Sequence, residues 1–256
     1  MQLSVISFTS APGGLFDDMA KKPPTLRLNE RHVAFVQPEI IDEAMPDPQP
    51  GYEKSTPEDH HAAWAALAAT APADGEIWFF AYGSLIWKPA CDFTEQRIGI
   101  VRGWHRAFCL GWNTRWRGSE DNPGLMLALD RGGSAKGVMY RLPPDAIEAN
   151  IFKLFEREMA WKPSAFPPRW VNVETGEGVK KALTFCIDRN SGRYVRGLTP
   201  HQVADVLAKA SGTRGSMAEY LHSTVMHLEA LGLYDSHLWE LQELVAERIE
   251  AVYGAD

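Results

Sequence analysis

Short apolar runs separated by turn residues occupy the middle of the chain, which is the pattern of a protein rich in β-strands. Residues Ile77–Tyr82 are continuously apolar and end at Gly83-Ser84, so they predict a strand that is buried on both faces. Further strands, each bounded by Gly, Pro, Asn or Asp, are predicted at Gln96–Arg102, Arg106–Trp112, Leu125–Leu129, Gly137–Leu142 and Lys181–Ile187. Five or more such strands with a buried first strand indicate a closed or nearly closed β-barrel.

Helical periodicity appears after these strands and dominates the end of the chain. Apolar residues repeat at helical spacing through Ile147–Leu154, and capping-box sequences begin two more helices at Thr199 and Ser216. A last helix is predicted from about Ser236 to Val252. A β-rich half followed by a helical tail indicates an α+β fold, a small β-barrel with flanking helices.

The first 75 residues differ in composition from the rest of the chain. They hold 9 of the 17 prolines and carry 11 acidic against 5 basic residues. This composition favours an extended, poorly packed segment over a core, so we predict an extension over 1–75 and a folded domain over 76–256. Within the extension, Thr56 as N-cap before Pro57, followed by an alanine-rich stretch, predicts one short helix that Pro72 ends.

Charge and cysteine content exclude several classes of function. The 26 basic and 33 acidic residues give a net charge of −7, which disfavours nucleic acid as a partner. The three cysteines, Cys91, Cys109 and Cys186, form neither a CxxC pair nor an even-numbered disulfide framework. No apolar stretch approaches the roughly 20 residues of a membrane helix, and no signal peptide is recognised. These features predict a cytoplasmic protein that binds neither membranes nor nucleic acid.

The histidines and tryptophans give weaker indications. No histidine pair has the HExxH spacing of a metal site, so no metal is expected. The histidines expected to be solvated or to cap helices are His60, His61, His222, His227 and His237. Seven of the nine tryptophans lie between residues 78 and 170, where they are expected to fill the barrel core and to line a pocket.

The turn Tyr82-Gly83-Ser84-Leu85 is the first candidate for chemistry. Glycine allows a sharp turn and a close approach to a ligand, and successive free N–H groups form an anion-binding nest. The alternative is a turn that only ends the strand. A nucleophilic Ser84 is disfavoured, because the chain has no G-x-S-x-G elbow around it.

Glu158 is the second candidate. Continuing the helical steps from Leu154 by four residues places this carboxylate on the apolar face of its helix. Such surroundings remove water from the charged form and raise the pKa toward the range useful for proton transfer. Two alternatives remain open at this point: the helix ends before Glu158 and leaves it exposed, or the carboxylate forms a structural ion pair with an arginine.

Taken in order, several segments of residues 76–251 resemble the ChaC-like γ-glutamylcyclotransferases. The segments are Phe79–Pro89, Gly99–Phe108, Gly137–Leu142, Arg157-Glu158, Gly215–Leu221 and Leu231–Leu238. The resemblance implies a small β-barrel with flanking helices and a catalytic Glu158. It also implies a γ-glutamyl-binding loop formed by Phe80, Ala81, Tyr82, Gly83, Ser84 and Leu85.

The implied reaction is the cyclisation of glutathione to 5-oxoproline with release of Cys-Gly, without a cofactor. One glutamate would act as general base and then as general acid. Contacts to the Cys-Gly portion would come from Tyr220 or from Thr114–Glu120. Two residues depart from the family pattern: Ala81 replaces a common glycine and Leu125 a usual arginine. The second departure bears on substrate preference more than on the chemistry. The alternatives are a cyclotransferase for other γ-glutamyl compounds and a non-catalytic metabolite-binding regulatory module.

Overall fold

The computed structural model describes residues 25–36 and 51–254. In chain order the helices and strands are α1 (Glu30–Phe35), β1 (Glu53–Lys54), α2 (Pro57–Ala68), β2 (Trp78–Ala81), β3 (Glu95–Asn113), β4 (Gly124–Arg141), α3 (Ile147–Glu158), β5 (Trp161–Lys162), β6 (Pro168–Thr175), β7 (Gly178–Phe185), α4 (Pro200–Leu207), β8 (Ser211–Gly212), β9 (Gly215–Ser216), α5 (Met217–Ala230) and α6 (Ser236–Tyr253).

Five strands close into a barrel in the order β2, β4, β3, β6 and β7, which confirms the barrel that the sequence predicts. Neighbouring strands are antiparallel except for β7 and β2, which pair in parallel and complete the ring. All four residues of β2 are buried, as the continuous apolar run indicates. Phe79 and Ala81 belong to a core cluster that includes the flanking helices, while Trp78 and Phe80 belong to a second cluster of barrel residues.

The barrel has fewer and longer strands than the sequence predicts. Strands β3 and β4 each span two of the predicted strands and pair over most of their length, with a shift in register between Arg102 and Trp104. The glycines that looked like strand ends lie inside these strands, and Gly103 takes a positive φ of 78° at the bulge. Strand β6 was not predicted, because it begins at a proline and mixes polar with apolar residues.

The predicted helices are present, and their caps follow the sequence. The Ser216 side chain accepts the N–H of Glu219 at the start of α5, and Asp235 does the same for Leu238 at the start of α6. Helix α3 includes Glu158 as its last residue, so the alternative in which the helix ends earlier is wrong. Helix α2 begins after Thr56, which accepts the N–H of Asp59.

The expectation of a poorly packed extension is wrong for residues 25–36. Leu28 and Val36 are 1% and 4% exposed and belong to the main core cluster. The side-chain oxygen of Gln242 in α6 accepts the backbone N–H groups of Arg27 and Leu28, each at 2.8 Å. Within the rest of the predicted extension, residues 51–75 contain β1 and α2, while residues 1–24 and 37–50 lie outside the described residues. The domain boundary near residue 75 stays a prediction.

Three further properties of the described part of the chain concern membranes, metals and disulfides. None of its helices combines the length and the apolar character needed to cross a membrane. No group of three or more His, Cys, Asp or Glu side chains within these ranges is arranged to hold a metal ion. The thiols of Cys91, Cys109 and Cys186 are free and buried.

Candidate active site

A cavity of about 930 Å³ lies where the ends of β2, β3 and α3 meet the first turns of α5. It contains both candidates from the sequence, the turn Tyr82–Leu85 and Glu158, together with Tyr220. Trp87, Trp112, Trp116 and Trp161 also line it, so tryptophans do form part of a pocket wall. Residues far apart in the chain therefore converge on one concave surface, as expected for a small-molecule site.

The turn after β2 is held by its own main chain. Ser84–Ile86 form one turn of 3-10 helix, in which Ile86 N–H donates to the Gly83 carbonyl and Lys88 N–H to the Ser84 carbonyl, both at 2.9 Å. The first N–H groups of such a turn have no carbonyl partner within it. These groups begin at Ser84, where the turn lines the cavity.

Gly83 lies too close to its neighbours for a larger residue. A Cβ atom at this position would be 3.1 Å from the hydroxyl oxygen of Tyr220 and 3.7 Å from Cδ2 of Leu127. The first of these distances is tighter than ordinary van der Waals contact. The glycine therefore allows the turn and α5 to approach each other.

A buried arginine fixes the start of the turn from behind. The Arg106 side chain is 1% exposed, and its Nε donates to the Tyr82 carbonyl at 2.6 Å. Its Nη1 donates to Asp235 Oδ2 at 2.9 Å, and Nη2 donates to the Lys136 carbonyl. The sequence did not single out Arg106 as a support of the site. The available signal was an arginine within an otherwise apolar predicted strand.

Glu158 faces the cavity from the C-terminal end of α3 and is 19% exposed. Burial raises the pKa of its carboxyl group above the ordinary glutamate value, while the charge and hydrogen bond of Arg157 act in the opposite direction. Arg157 Nε lies 3.1 Å from Glu158 Oε1. The ion pair that the sequence left open is therefore present, together with the burial that proton transfer requires.

Arg157 also connects Glu158 to the turn. Its Nη2 donates to Ser84 Oγ at 2.9 Å and its Nη1 to the Lys88 carbonyl at 2.6 Å. One planar guanidinium thus contacts the carboxylate and the turn at the same time. Because these contacts lie in a fixed fork, they restrain the relative position of the two candidates.

Two tyrosines surround the turn as neutral hydrogen-bonding groups. Burial raises the pKa of Tyr220 to about 12, and the charge of Glu158 acts in the same direction. Ser84 hydrogen-bonds to the Tyr220 phenol oxygen through both its backbone and its side chain. Burial also raises the pKa of Tyr82 well above its ordinary value. Both phenols stay protonated at neutral pH.

Three residues singled out in the sequence lie away from the cavity. Phe80 and Ala81 are fully buried in β2, where they are part of the barrel core. Leu125 is also fully buried and does not line the cavity. Its expected effect on substrate preference therefore cannot come from direct contact with the substrate. Of the implied loop, the cavity is lined by Tyr82, Gly83, Ser84 and Leu85.

Four residues form a second part of the cavity wall, which we call the arginine rim: Arg115, Trp116, Arg117 and Arg214. The indole of Trp116 contacts two guanidinium groups, with the Cζ of Arg115 at 4.6 Å and that of Arg214 at 4.4 Å from the ring centroid. Arg117 Nη1 donates to Glu219 Oε2 at 2.6 Å.

The hairpin β8–β9 holds the arginine rim in place. The N–H of Thr213 donates to the Arg115 carbonyl at 2.9 Å, and the N–H of Arg214 donates to the Trp116 carbonyl at 2.8 Å. At Gly212 a Cβ atom would lie 2.4 Å from the Arg115 carbonyl oxygen, so only glycine permits this contact. The sequence indicated Thr114–Glu120 as a source of substrate contacts, but it did not single out the arginines.

The cavity is more cationic than the chain as a whole. Its lining includes six basic side chains and three acidic ones, although the whole sequence carries a net charge of −7. The basic residues are Lys88, Arg115, Arg117, Arg157, Arg193 and Arg214. A concave site with this balance favours a small anionic ligand.

The chain is similar to several proteins of known activity. The family model described as ChaC-like protein matches residues 77–248. The chain is 39% identical over 195 residues to the glutathione-specific γ-glutamylcyclotransferase of Escherichia coli strain K12, a match that covers 74% of this chain and 83% of the relative. It is 27% identical over 217 residues to glutathione-specific γ-glutamylcyclotransferase 1 of mouse, covering 80% and 95% of the two chains.

A solved structure supports the fold independently. The crystal structure of a γ-glutamylcyclotransferase specific to glutathione from yeast superposes with a TM-score of 0.61 at 22% sequence identity. The match covers 68% of this chain and 96% of the yeast chain. With the family model covering about two thirds of its residues, the chain belongs to the ChaC-like family.

Proposed function

We propose that this protein is a glutathione-specific γ-glutamylcyclotransferase that converts glutathione into 5-oxoproline and Cys-Gly. One observation carries the proposal: Glu158, with a pKa raised by burial, shares a cavity with the Gly83-Ser84 turn and is joined to it through Arg157. Its relatives named as glutathione-specific enzymes support the same substrate.

The reaction is intramolecular. The α-amino nitrogen of the γ-glutamyl group attacks the γ-carbonyl carbon, and a new C–N bond closes the five-membered ring. The bond from that carbon to the cysteine nitrogen then breaks, and this nitrogen gains a proton. Atoms balance without water, metal or redox partner, so binding the folded conformer of the substrate is itself a large part of catalysis.

Glu158 supplies the proton transfers. The substrate amine is mostly protonated at neutral pH, so a base must accept its proton before attack. The same carboxyl group then donates a proton to the leaving cysteine nitrogen. A raised pKa suits both steps. It makes the ionised carboxylate a stronger base, and it brings the pKa of the carboxyl group closer to the operating pH, so that the protonated form can donate.

The turn and the tyrosines bind negatively charged oxygen. The N–H groups at the start of the Ser84–Ile86 turn bind the substrate α-carboxylate or the oxyanion of the tetrahedral intermediate, with the substrate oxygen displacing the Tyr220 hydroxyl from the Ser84 N–H. Losing one donor of this kind typically costs about 100-fold to 1,000-fold in rate. The neutral phenols of Tyr82 and Tyr220 line the same part of the cavity and supply hydroxyl donors.

The arginine rim accounts for the preference for glutathione. Glutathione carries a second carboxylate on its glycine, one residue beyond the carboxylate of a γ-glutamyl dipeptide. Guanidinium groups bind carboxylates in a fork geometry, and two of them, those of Arg115 and Arg214, lie 4.6 Å and 4.4 Å from the centroid of the Trp116 ring.

The location follows from the cysteines, which are free thiols. Disulfides form in oxidising compartments, so free thiols agree with the reducing cytoplasm, where we place the protein.

The test is incubation of the purified protein with glutathione and mass detection of 5-oxoproline and Cys-Gly, with γ-glutamyl-alanine in parallel. We expect both products from glutathione and a much lower kcat/KM for the dipeptide. Equal values for the two substrates would indicate a cyclotransferase of broader specificity. Binding of glutathione without product formation would indicate a metabolite-binding module.

A further inference from the structure

The segment Tyr52–His60 precedes the family match, which begins at residue 77, yet it contacts the part of the chain that carries Glu158. We infer that this segment is part of the active site: it positions Glu158 from behind and adds one side chain to the cavity wall. The inference rests on the proposed function, because it assigns a positioning role in the reaction described above.

The residues that follow Glu158 are held by this segment almost one by one. His60 Nε2 donates to the Met159 carbonyl at 3.2 Å, and Ser55 N–H donates to the Ala160 carbonyl at 2.9 Å. Strands β1 and β5 then pair, with Lys54 opposite Trp161 and Glu53 opposite Lys162. Every residue from 159 to 162 therefore has a partner in the segment.

These contacts affect Glu158 because it is the last residue of α3 and lies directly before the residues that they hold. The final carbonyl groups of a helix have no partner inside it, so its last turn frays unless other groups hold it. His60 holds this end from a buried position, 7% exposed, with its ring at 6.0 Å in an edge contact with Phe155 of α3. Of the two roles that the sequence allows for His60, solvation is wrong, whereas its bond to the Met159 carbonyl caps the C-terminal end of α3.

Charge reinforces the connection at its outer edge. Lys162 Nζ lies 2.8 Å from Asp59 Oδ2, and this hydrogen bond is the main reason that the pKa of Asp59 is lowered to about 2. Asp59 also accepts the Thr56 N–H in the cap of α2 at 2.8 Å. The helix cap and the strand after Glu158 thus share one carboxylate.

The segment reaches the cavity itself through Tyr52, which lines it. The Cζ of Arg193 lies 6.0 Å from the centroid of the Tyr52 ring. Arg193 in turn donates through Nε to the Gly111 carbonyl of β3 at 3.2 Å. Tyr52 therefore adds to a wall made of three separate parts of the chain, and it is placed to contact substrate rather than to hold Glu158.

The first experiment separates positioning from general stability with two matched variants. His60→Leu removes the hydrogen bond to Met159, while His32→Leu removes a comparable bond from a histidine that is also 7% exposed but binds Glu250 in α6. We expect His60→Leu to lower kcat about 10-fold to 100-fold with KM nearly unchanged, because catalytic geometry is lost while substrate contacts remain. His32→Leu should keep the wild-type kcat.

Rescue and an activity-independent measurement complete this test. His60→Gln retains an N–H donor and should recover most of kcat. Amide hydrogen exchange of Met159–Lys162 should be faster in His60→Leu than in wild type and unchanged in His32→Leu. Wild-type kcat in His60→Leu, or unchanged exchange at these amides, overturns the positioning role. If wild-type protein does not act on glutathione, the proposed function fails, while the exchange result still decides this inference.

The second experiment concerns the cavity wall and uses the partly exposed Tyr52, whose replacement leaves the core intact. Tyr52→Ala should raise KM for glutathione about 5-fold to 10-fold, whereas Tyr52→Phe should stay near wild type because it keeps the ring. An unchanged KM in Tyr52→Ala overturns its part in the wall. This variant also remains informative if His60→Leu does not fold.

Discussion

The two parts of the cavity wall are built in different ways. The Gly83-Ser84 turn is fixed by the buried Arg106, by Tyr220 and by Arg157, three residues from three separate elements. The arginine rim is fixed mainly by backbone contacts to a two-stranded hairpin, and its Arg117 pairs with Glu219, which is 46% exposed. The turn rests on a guanidinium that is 1% exposed, whereas at the rim Arg214 is exposed to solvent and Glu219 partly so, and the rim is therefore held less tightly than the turn.

This difference matches a division of labour. Proton transfer and oxyanion binding depend on exact placement, which buried and mutually restrained groups provide. Recognition of a distant carboxylate depends on charge and reach, which long side chains on a hairpin provide at lower structural cost. Changes at the turn should therefore lower the rate for every γ-glutamyl substrate, and changes at the rim should alter the choice among substrates.

The largest effect is expected for Glu158→Gln. This variant keeps the size of the side chain but cannot transfer a proton, so kcat should fall about 1,000-fold or more while glutathione still binds. Single-turnover product formation and calorimetric binding measure the two properties. Glu148→Gln on the same helix is the control, since Glu148 is 61% exposed beside His61 and lies outside the cavity lining. Product formation near the wild-type rate by folded Glu158→Gln would refute the assignment.

The next largest effect distinguishes the contribution of the backbone at the turn from that of the Ser84 hydroxyl. Gly83→Val introduces a side chain against Tyr220 and should lower kcat/KM about 100-fold for glutathione and for γ-glutamyl-alanine alike. Ser84→Ala removes only hydroxyl contacts, to Arg157 and Tyr220, and should cost less than about 10-fold. If Ser84→Ala is the more harmful change in folded protein, the mechanism depends on the hydroxyl.

How far the sequence predicts this site depends on the range of the contacts. Glu158 and the Gly83-Ser84 turn were found from helical spacing and turn residues, which are local signals. Arg106 and Asp235 are 129 residues apart, Arg117 and Glu219 are 102 apart, and His60 and Met159 are 99 apart. No local pattern brings such pairs together, so the supports of the site had to be seen in the fold.

The same limit explains the misjudged extension. Its proline content and acidic excess describe average behaviour, and on that basis they favour a poorly packed segment over one that joins the core. The few apolar residues at Leu28 and Val36 are enough to join the core, and β1 pairs with the strand after Glu158. Removing residues 1–54 should therefore lower both the melting temperature and kcat, contrary to what the composition indicates.

A smaller and selective effect is expected at the arginine rim. Arg214→Ala removes one of the two guanidinium groups that flank Trp116, so KM for glutathione should rise about 10-fold while γ-glutamyl-alanine changes by about 2-fold or less. A competition assay of kcat/KM for the two substrates measures this. Arg102→Ala is the control, because Arg102 pairs with Glu174 away from the cavity lining. Equal losses of kcat/KM for both substrates would mean that Arg214, like the turn, serves every γ-glutamyl substrate and does not select among them.

The smallest effect concerns stability, and its sign follows from the pKa of Glu158. Because burial raises this pKa in the folded state, folding is opposed by ionisation, and stability is lost as pH rises from the ordinary glutamate pKa through the raised one. Glu158→Gln lacks this penalty and should melt a few degrees higher than wild type at neutral pH. Thermal melts across pH should show the difference shrinking as pH falls below about 4, where the wild-type carboxyl is protonated in both the folded and the unfolded state. A lower melting temperature for the variant at neutral pH would mean that the ion pair between Glu158 and Arg157 stabilises the fold by more than burial of the carboxylate costs.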